Sequence, residues 1–272
     1  MRSYITQIID KNSKPADKLN RLREYLQMYF LYTLFKKKFY TNLVFTDGTA
    51  LRFVHKIRRF SEDLDFSLSD KAQGYDFSFM LNDIKNEFTL AGYDIEVKES
   101  PKKTVNSAFL KFPGLLFEVG LSPLKAEKIT IKLEVDTRPP AGGIEENKIN
   151  SSPFFFYMVH YDLRTLFAGK LHALLSREFT KGRDWYDLFW YLATFENLEP
   201  NYVFLNNALL QTRKDSLQVA QGELKSLIIK EIERLDIAAV RKDVFLFLEN
   251  TEEIEMLTRE NLMQLVNENK ML

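Results

Sequence analysis

The chain has 272 residues, enough for one large domain or two of ordinary size. Its 38 basic and 38 acidic residues cancel and 45% of it is hydrophobic, which excludes a disordered chain and argues against a strongly basic nucleic-acid binder, although a local basic patch stays open. Cysteine is absent, which excludes disulfides, thiolate catalysis and Cys-zinc sites and agrees with a cytoplasmic protein.

The first residues, Met1 to Asp10, lack a basic start followed by a long apolar run, so no signal peptide is expected. From Pro15 to about Lys38 the residues Leu19, Leu22, Leu26, Tyr29, Phe30 and Thr33 recur near a period of 3.6 and predict a helix. Its apolar stretch, Tyr25–Phe35, is too short to span a bilayer and ends in Lys36-Lys37-Lys38. A short strand is expected at Leu43–Thr46. Gly48 then opens a helix from Thr49 to about Lys56, and a second strand runs over Asp65–Leu68. Phe77 to about Ala91 reads as an amphipathic helix closed by Gly92. Strand-like runs follow at Tyr93–Lys98, Ala108–Phe112, Leu115–Val119 and Lys128–Asp136. Pro139–Ser152 has the Pro-Pro and Gly-Gly pairs of a turn-rich loop, and Phe154–Met158 reads as one more strand. After Tyr161 the pattern is helical throughout: Leu163–Arg177, Asp184–Phe195, Val203–Thr212, Leu217–Leu235, Val240–Leu248 and Arg259–Asn267. The expectation is an α+β domain over residues 1–155 and a helical C-terminal domain over 156–272.

Three constellations carry chemistry. In Asp63-Leu64-Asp65-Phe66, strand alternation puts both carboxylates on one face. Adjacent carboxylates repel unless a cation lies between them, and oxygen ligands so spaced suit Mg²⁺. Upstream, the turn at Gly48-Thr49 leads a strand into a helix, where free N–H groups and the helix dipole favour a triphosphate. Second, Ile129–Asp136 alternates cleanly, with Lys132, Glu134 and Asp136 on one face. Beside the Asp63–Asp65 strand, Glu134 or Asp136 would complete a three-carboxylate cluster able to hold two metal ions. Third, Lys170 lies mid-helix, where its ammonium can reach phosphates, and Arg183-Asp184-Trp185-Tyr186-Asp187 puts two carboxylates on one helix face. Each piece alone has an ordinary explanation: a solvated strand edge, a wet sheet face, a helix cap at Asp184, a surface lysine at Lys170. His172 reads as a packed helix residue, because no partner lies at ligand spacing.

Taken in order, Gly48-Thr49-Ala50-Leu51, Arg59, Ser61, Asp63, Asp65, Leu133-Glu134-Val135, Lys170 and Arg183-Asp184-Trp185-Tyr186-Asp187 resemble the AbiEii/AbiGii/MenT-type nucleotidyltransferase toxins of abortive-infection toxin–antitoxin systems. The family pattern has a Gly-Gly pair at the turn; here its first glycine is Asp47. The resemblance implies a DNA polymerase β-like nucleotidyltransferase core with a helical C-terminal part. It also implies two-metal transfer of a nucleotide from an NTP to an acceptor, the tRNA 3′ end in the MenT branch, and a separately encoded antitoxin. On this reading Asp63, Asp65 and Glu134, with Asp136 in reserve, bind Mg²⁺, and Glu134 helps deprotonate the acceptor. Gly48 and Thr49 hold the triphosphate, Lys170 neutralises it, and Asp184 orients Lys170 or the nucleobase. Arg59, Ser61 and Asp187 are further substrate contacts, Arg59 alternatively forming an ion pair with Glu62 or Asp63. Two other readings are open: the same chemistry on a small molecule or protein hydroxyl, and a catalytically silent binding protein of this fold. A basic channel of Arg52, Lys56, Arg58, Lys102 and Lys103 beside the carboxylates would favour RNA.

Overall fold

The computed structural model describes residues 14–100, 104–212 and 218–272. The chain divides into two units, one made of Met1–Val54, Phe60–Arg138 and Glu146–His160, the other of His55–Arg59, Pro139–Glu145 and Tyr161–Leu272.

The first unit is built on a seven-stranded sheet. Its strands are β1 (Leu43–Thr46), β2 (Leu64–Leu68), β3 (Glu96–Ser100), β4 (Val105–Pro113), β5 (Lys128–Asp136), β6 (Glu145–Asn150) and β7 (Phe156–Tyr161), in the order β3-β4-β5-β2-β1-β7-β6. β2 runs antiparallel to β1 and parallel to β5, so two strands far apart in sequence lie side by side at the centre. Helices α1 (Pro15–Lys36) and α3 (Phe77–Leu90) pack together. Pro15 starts α1 where its missing N–H costs nothing, and Leu22, Leu26 and Phe30 form the buried stripe. Phe30 meets Phe66 of β2, and Phe88 of α3 meets Phe112 of β4, with ring centroids 6.3 and 5.2 Å apart. These rings pack against one sheet face. The opposite face keeps the polar side chains, as the alternation of buried and half-buried residues along β5 shows.

The second unit holds α5 (Leu163–Ser176), α6 (Gly182–Thr194), α7 (Tyr202–Thr212), α8 (Glu223–Arg234), α9 (Ile237–Phe245) and α10 (Arg259–Glu268). Asp162 caps α5 by accepting from the Thr165 N–H at 2.8 Å. The start of α6 lies so close to α9 that a Cβ on Gly182 would sit 2.4 Å from the Val240 carbonyl oxygen. Glycine is required there by that approach. The segment His55–Arg59 also belongs to this unit, with Arg59 bridging to Leu248.

The mixed α/β architecture with a helical remainder is the expected fold class. Four elements differ from expectation. Leu115–Val119 forms not a strand but one helical turn, α4 (Leu115–Glu118), opened by Gly114 at φ 73°. A short apolar run fits either state, and the left-handed glycine decides for the turn. The expected loop Pro139–Ser152 contains β6, whose Glu-Glu-Asn-Lys-Ile-Asn sequence has no apolar alternation because it is an edge strand. The helix expected from Thr49 begins at Asp47 as α2 (Asp47–Ala50) and widens into a π turn over Leu51–His55. The predicted helix from Leu217 starts instead at Glu223, behind Gly222 at φ 91°; Leu217 itself, like Met1 to Asp10, lies outside the described residues.

Candidate active site

In the sheet unit, Asp65 of β2 is the register partner of Glu134 of β5, and Ser67 that of Asp136. Partners on neighbouring strands share a face about 5 Å apart, so the Asp65 and Glu134 carboxylates project side by side. The same row continues through Thr46 on one side and Ser107 on the other. Asp63 lies one residue before β2. Its main-chain carbonyl accepts a short hydrogen bond from the buried Thr49 hydroxyl and a longer one, 3.5 Å, from Gln27 Nε2. Gln27 also donates to the Ser61 carbonyl at 3.1 Å, so α1 and α2 together fix the segment that presents Asp63.

Lys132, two residues before Glu134, holds its ammonium 2.6 Å from Glu134 Oε2. Burial works against the lysine's charge, but the Glu134 hydrogen bond and the fields of Glu134, Asp63 and Asp65 outweigh it and raise its pKa. Asp136 is pushed up by burial, although it accepts from the Arg138 N–H at 2.9 Å. The donors here are hard carboxylate oxygens on one sheet face, the chemistry that Mg²⁺ takes.

The turn before α2 explains the departure from the glycine pair. Asp47 has φ 59°, in the left-handed region that glycine enters freely and aspartate more readily than most residues. Gly48 follows in the first helical turn. Thr49 is fully buried, and its hydroxyl is spent on Asp63.

The helical unit contains a buried chain of alternating charges. Arg59 grips Asp187 with two hydrogen bonds, Nε to Oδ1 at 2.5 Å and Nη2 to Oδ2 at 2.6 Å. Lys170 of α5 lies 2.9 Å from Asp187 Oδ2 and 3.3 Å from Asp184 Oδ1. Arg177 closes the series, its Nε 3.2 Å from Asp184 Oδ2. The Lys170 side chain is 4% exposed and that of Asp184 is 2% exposed, so neither an exposed lysine nor a simple helix cap describes them. Burial works to raise the Asp187 carboxyl, but Arg59 and Lys170 overcome it and hold it below the ordinary aspartate value. Breaking such a buried pair costs about 3–5 kcal/mol, because a charge is left without its partner. A concavity beside Arg177, lined also by Phe179, Lys181, Trp185 and Arg234, opens this end to solvent.

The expected residues thus fall into two groups, each described within its own unit. Asp63, Asp65, Glu134, Asp136, Gly48, Thr49 and Ser61 belong to the sheet unit, and Arg59, Lys170, Asp184 and Asp187 to the helical unit. The ion pair of Arg59 is with Asp187, 128 residues away, while Glu62 pairs with Arg23. Sequence reasoning missed Gln27, Arg177 and the ion pair of Lys132 with Glu134. Gln27 had a signal, a polar residue inside the apolar stripe of a helix; Arg177 had none.

This combination, a mixed sheet with paired carboxylates on one open face followed by a helical bundle carrying Lys and Asp-x-x-Asp, defines a nucleotidyltransferase. The family model for the nucleotidyl transferase AbiEii toxin of Type IV TA systems matches residues 29–261, and the chain belongs to that family. Among solved structures it is similar to JHP933 from Helicobacter pylori, at 19% identity and a TM-score of 0.57, over 91% of this chain and 90% of that one. A second H. pylori structure, provisionally assigned as a nucleotidyltransferase, is 19% identical with a TM-score of 0.54, over 90% of this chain and 92% of the other. At these identities the likeness concerns the fold. No curated protein matches the chain.

Proposed function

We propose that this enzyme moves a nucleotide from an NTP onto an acceptor hydroxyl of RNA, the tRNA 3′ end in the first instance, with pyrophosphate as the leaving group and Mg²⁺ bound at the sheet carboxylates. The observation that carries the proposal is the register of Asp65 with Glu134 on adjacent strands, on the face that the helices α1 and α3 leave open. Bound there, Mg²⁺ supplies charge neutralisation for the triphosphate and lowers the pKa of the acceptor hydroxyl. Asp63 and Asp65 hold the metal, Glu134 completes the set with Asp136 in reserve, and Glu134 accepts the acceptor's proton. Gly48 lets the chain approach the triphosphate closely, while Thr49 acts through Asp63, to which its hydroxyl is bound. Lys170 neutralises phosphate charge, held ready by Asp184 and Asp187. Arg59 serves by fixing Asp187, and Ser61 by the main-chain turn that leads to Asp63.

The RNA acceptor rests on the family and not on a basic channel. Arg52 is paired with Glu24 at 2.5 Å and Arg58 with Glu253 at 3.2 Å, and Lys102 and Lys103 lie outside the described residues. Family membership also supports a separately encoded antitoxin as partner. No helix among the described residues is long and apolar enough to cross a membrane, in keeping with action in the cytoplasm.

The test is to incubate the protein with each labelled NTP, Mg²⁺ and a cell extract fractionated into RNA, protein and small molecules. Label is expected in RNA of tRNA size, at the 3′ end. Label in protein or in a small metabolite instead would overturn the acceptor, and label in no pool would overturn the activity.

A further inference from the structure

The proposal above gives Lys132 no role, although its ammonium lies 2.6 Å from Glu134 Oε2, one of the carboxylates that would bind metal. Its side chain is 33% exposed and that of Glu134 is 25% exposed, so this is neither a buried core pair nor a fully solvated one. Residues two apart on a strand stand roughly 6.5–7 Å apart. To reach Glu134 Oε2 at 2.6 Å, the lysine must therefore lie along the sheet face, over the row that carries Asp65 and Glu134. Leu64 pairs with Leu133, so one step back along the same register Lys132 comes level with Asp63. Three carboxylates of two adjacent segments therefore face one tethered ammonium, and the fields of all three act on it.

An ordinary strand ion pair would need one carboxylate, not three. A divalent cation is the other positive charge that oxygen ligands so placed attract. Lys132 and such a cation cannot both hold Glu134 Oε2, because like charges at that separation repel strongly.

We propose that Lys132 is a built-in counter-ion of the carboxylate cluster: it holds Asp63, Asp65 and Glu134 in register without metal and yields Glu134 when a divalent ion arrives. It is a positioning residue, and the inference rests on the assignment of the metal to these carboxylates. Released from Glu134, the ammonium on its four-carbon stem stays within the site as a mobile positive charge beside the incoming phosphates.

The test uses the full chain and Mn²⁺ alone as the probe, with free Mn²⁺ followed by electron paramagnetic resonance. Lys132→Met is expected to bind Mn²⁺ several-fold more tightly than the wild type, because a competitor has gone, and Lys132→Arg to stay within about twofold of it. In metal-free buffer Lys132→Met should melt lower, and Mn²⁺ should raise its Tm by more than it raises that of the wild type, since tighter binding to the folded state stabilises more. A merely structural lysine would lower the melting point and leave the Mn²⁺ increment unchanged. Should Lys132→Met give no cooperative melt, Lys132→Gln is read by the same criteria. If the wild type binds Mn²⁺ and neither neutral variant binds it more tightly, the inference falls and the nucleotidyl-transfer reading stands. If the wild type binds no Mn²⁺, both fall.

Discussion

At the scale of single residues, the telling position is Asp47, where the family pattern has glycine. Its φ of 59° shows what the glycine is for: the chain must turn left-handed at the first residue of α2, and side chains other than Gly, Asn and Asp resist that conformation. Aspartate is the replacement that keeps the turn. Asp47→Gly and Asp47→Val both remove the carboxylate, so the difference between them reports the backbone alone. Asp47→Val should be less stable than Asp47→Gly by about 1–3 kcal/mol, since a β-branched residue is strained there. Thermal melts of the two variants check this, and equal stability would contradict it. The two-residue spacing of Asp63 and Asp65, and of Lys132, Glu134 and Asp136, was legible because strand alternation is a local rule. That Asp65 lies level with Glu134 was not, because pairing between strands 69 positions apart is not a local property of either strand.

At the scale of elements, α5 and α6 are held together by charge as well as by rings. Phe167 and Tyr191 meet at 4.5 Å, and Lys170 lies between Asp184 and Asp187. The helices themselves were readable from periodicity; their electrostatic bond to Arg59 was not, because nothing local marks a partner 128 residues away. The same locality explains β6, which gains strand geometry from its neighbour and not from its own residues. The Asp187 network has a pH signature. Its folded carboxyl titrates below the ordinary aspartate value, so the stability it adds is present above that value and is lost as pH falls through the lower folded one. Both tryptophans, Trp185 and Trp190, lie on α6, so their fluorescence follows this unit. In denaturant titrations Asp187→Asn should be less stable than the wild type at pH 7, with the gap closing below about pH 4. Curves that stay parallel from pH 7 to pH 3 would show that Asp187 is not held ionised by Arg59 and Lys170.

At the scale of the whole molecule, one chain supplies two chemically different sets of side chains. The sheet unit offers hard oxygen donors on an open face, and the helical unit offers buried cations balanced by carboxylates. Oxygen donors of the first kind suit a divalent ion, and catalysis of nucleotidyl transfer comes largely from positioning and electrostatics. The overall charge of zero conceals this division, which is why composition alone could point neither toward nor away from a phosphate substrate.

The central claim is that Asp65 and Glu134, paired across β2 and β5, form the metal-dependent centre of the transfer. The most direct measurement is the rate at which label from an α-³²P-NTP enters tRNA in Mg²⁺, compared among the wild type, Asp65→Asn and Glu134→Gln, each checked for an unchanged circular-dichroism spectrum. Both variants should lose at least about 100-fold in rate, on the order of 2.7 kcal/mol of barrier, while remaining folded. A folded Asp65→Asn or Glu134→Gln protein that labels tRNA at the wild-type rate would contradict the claim.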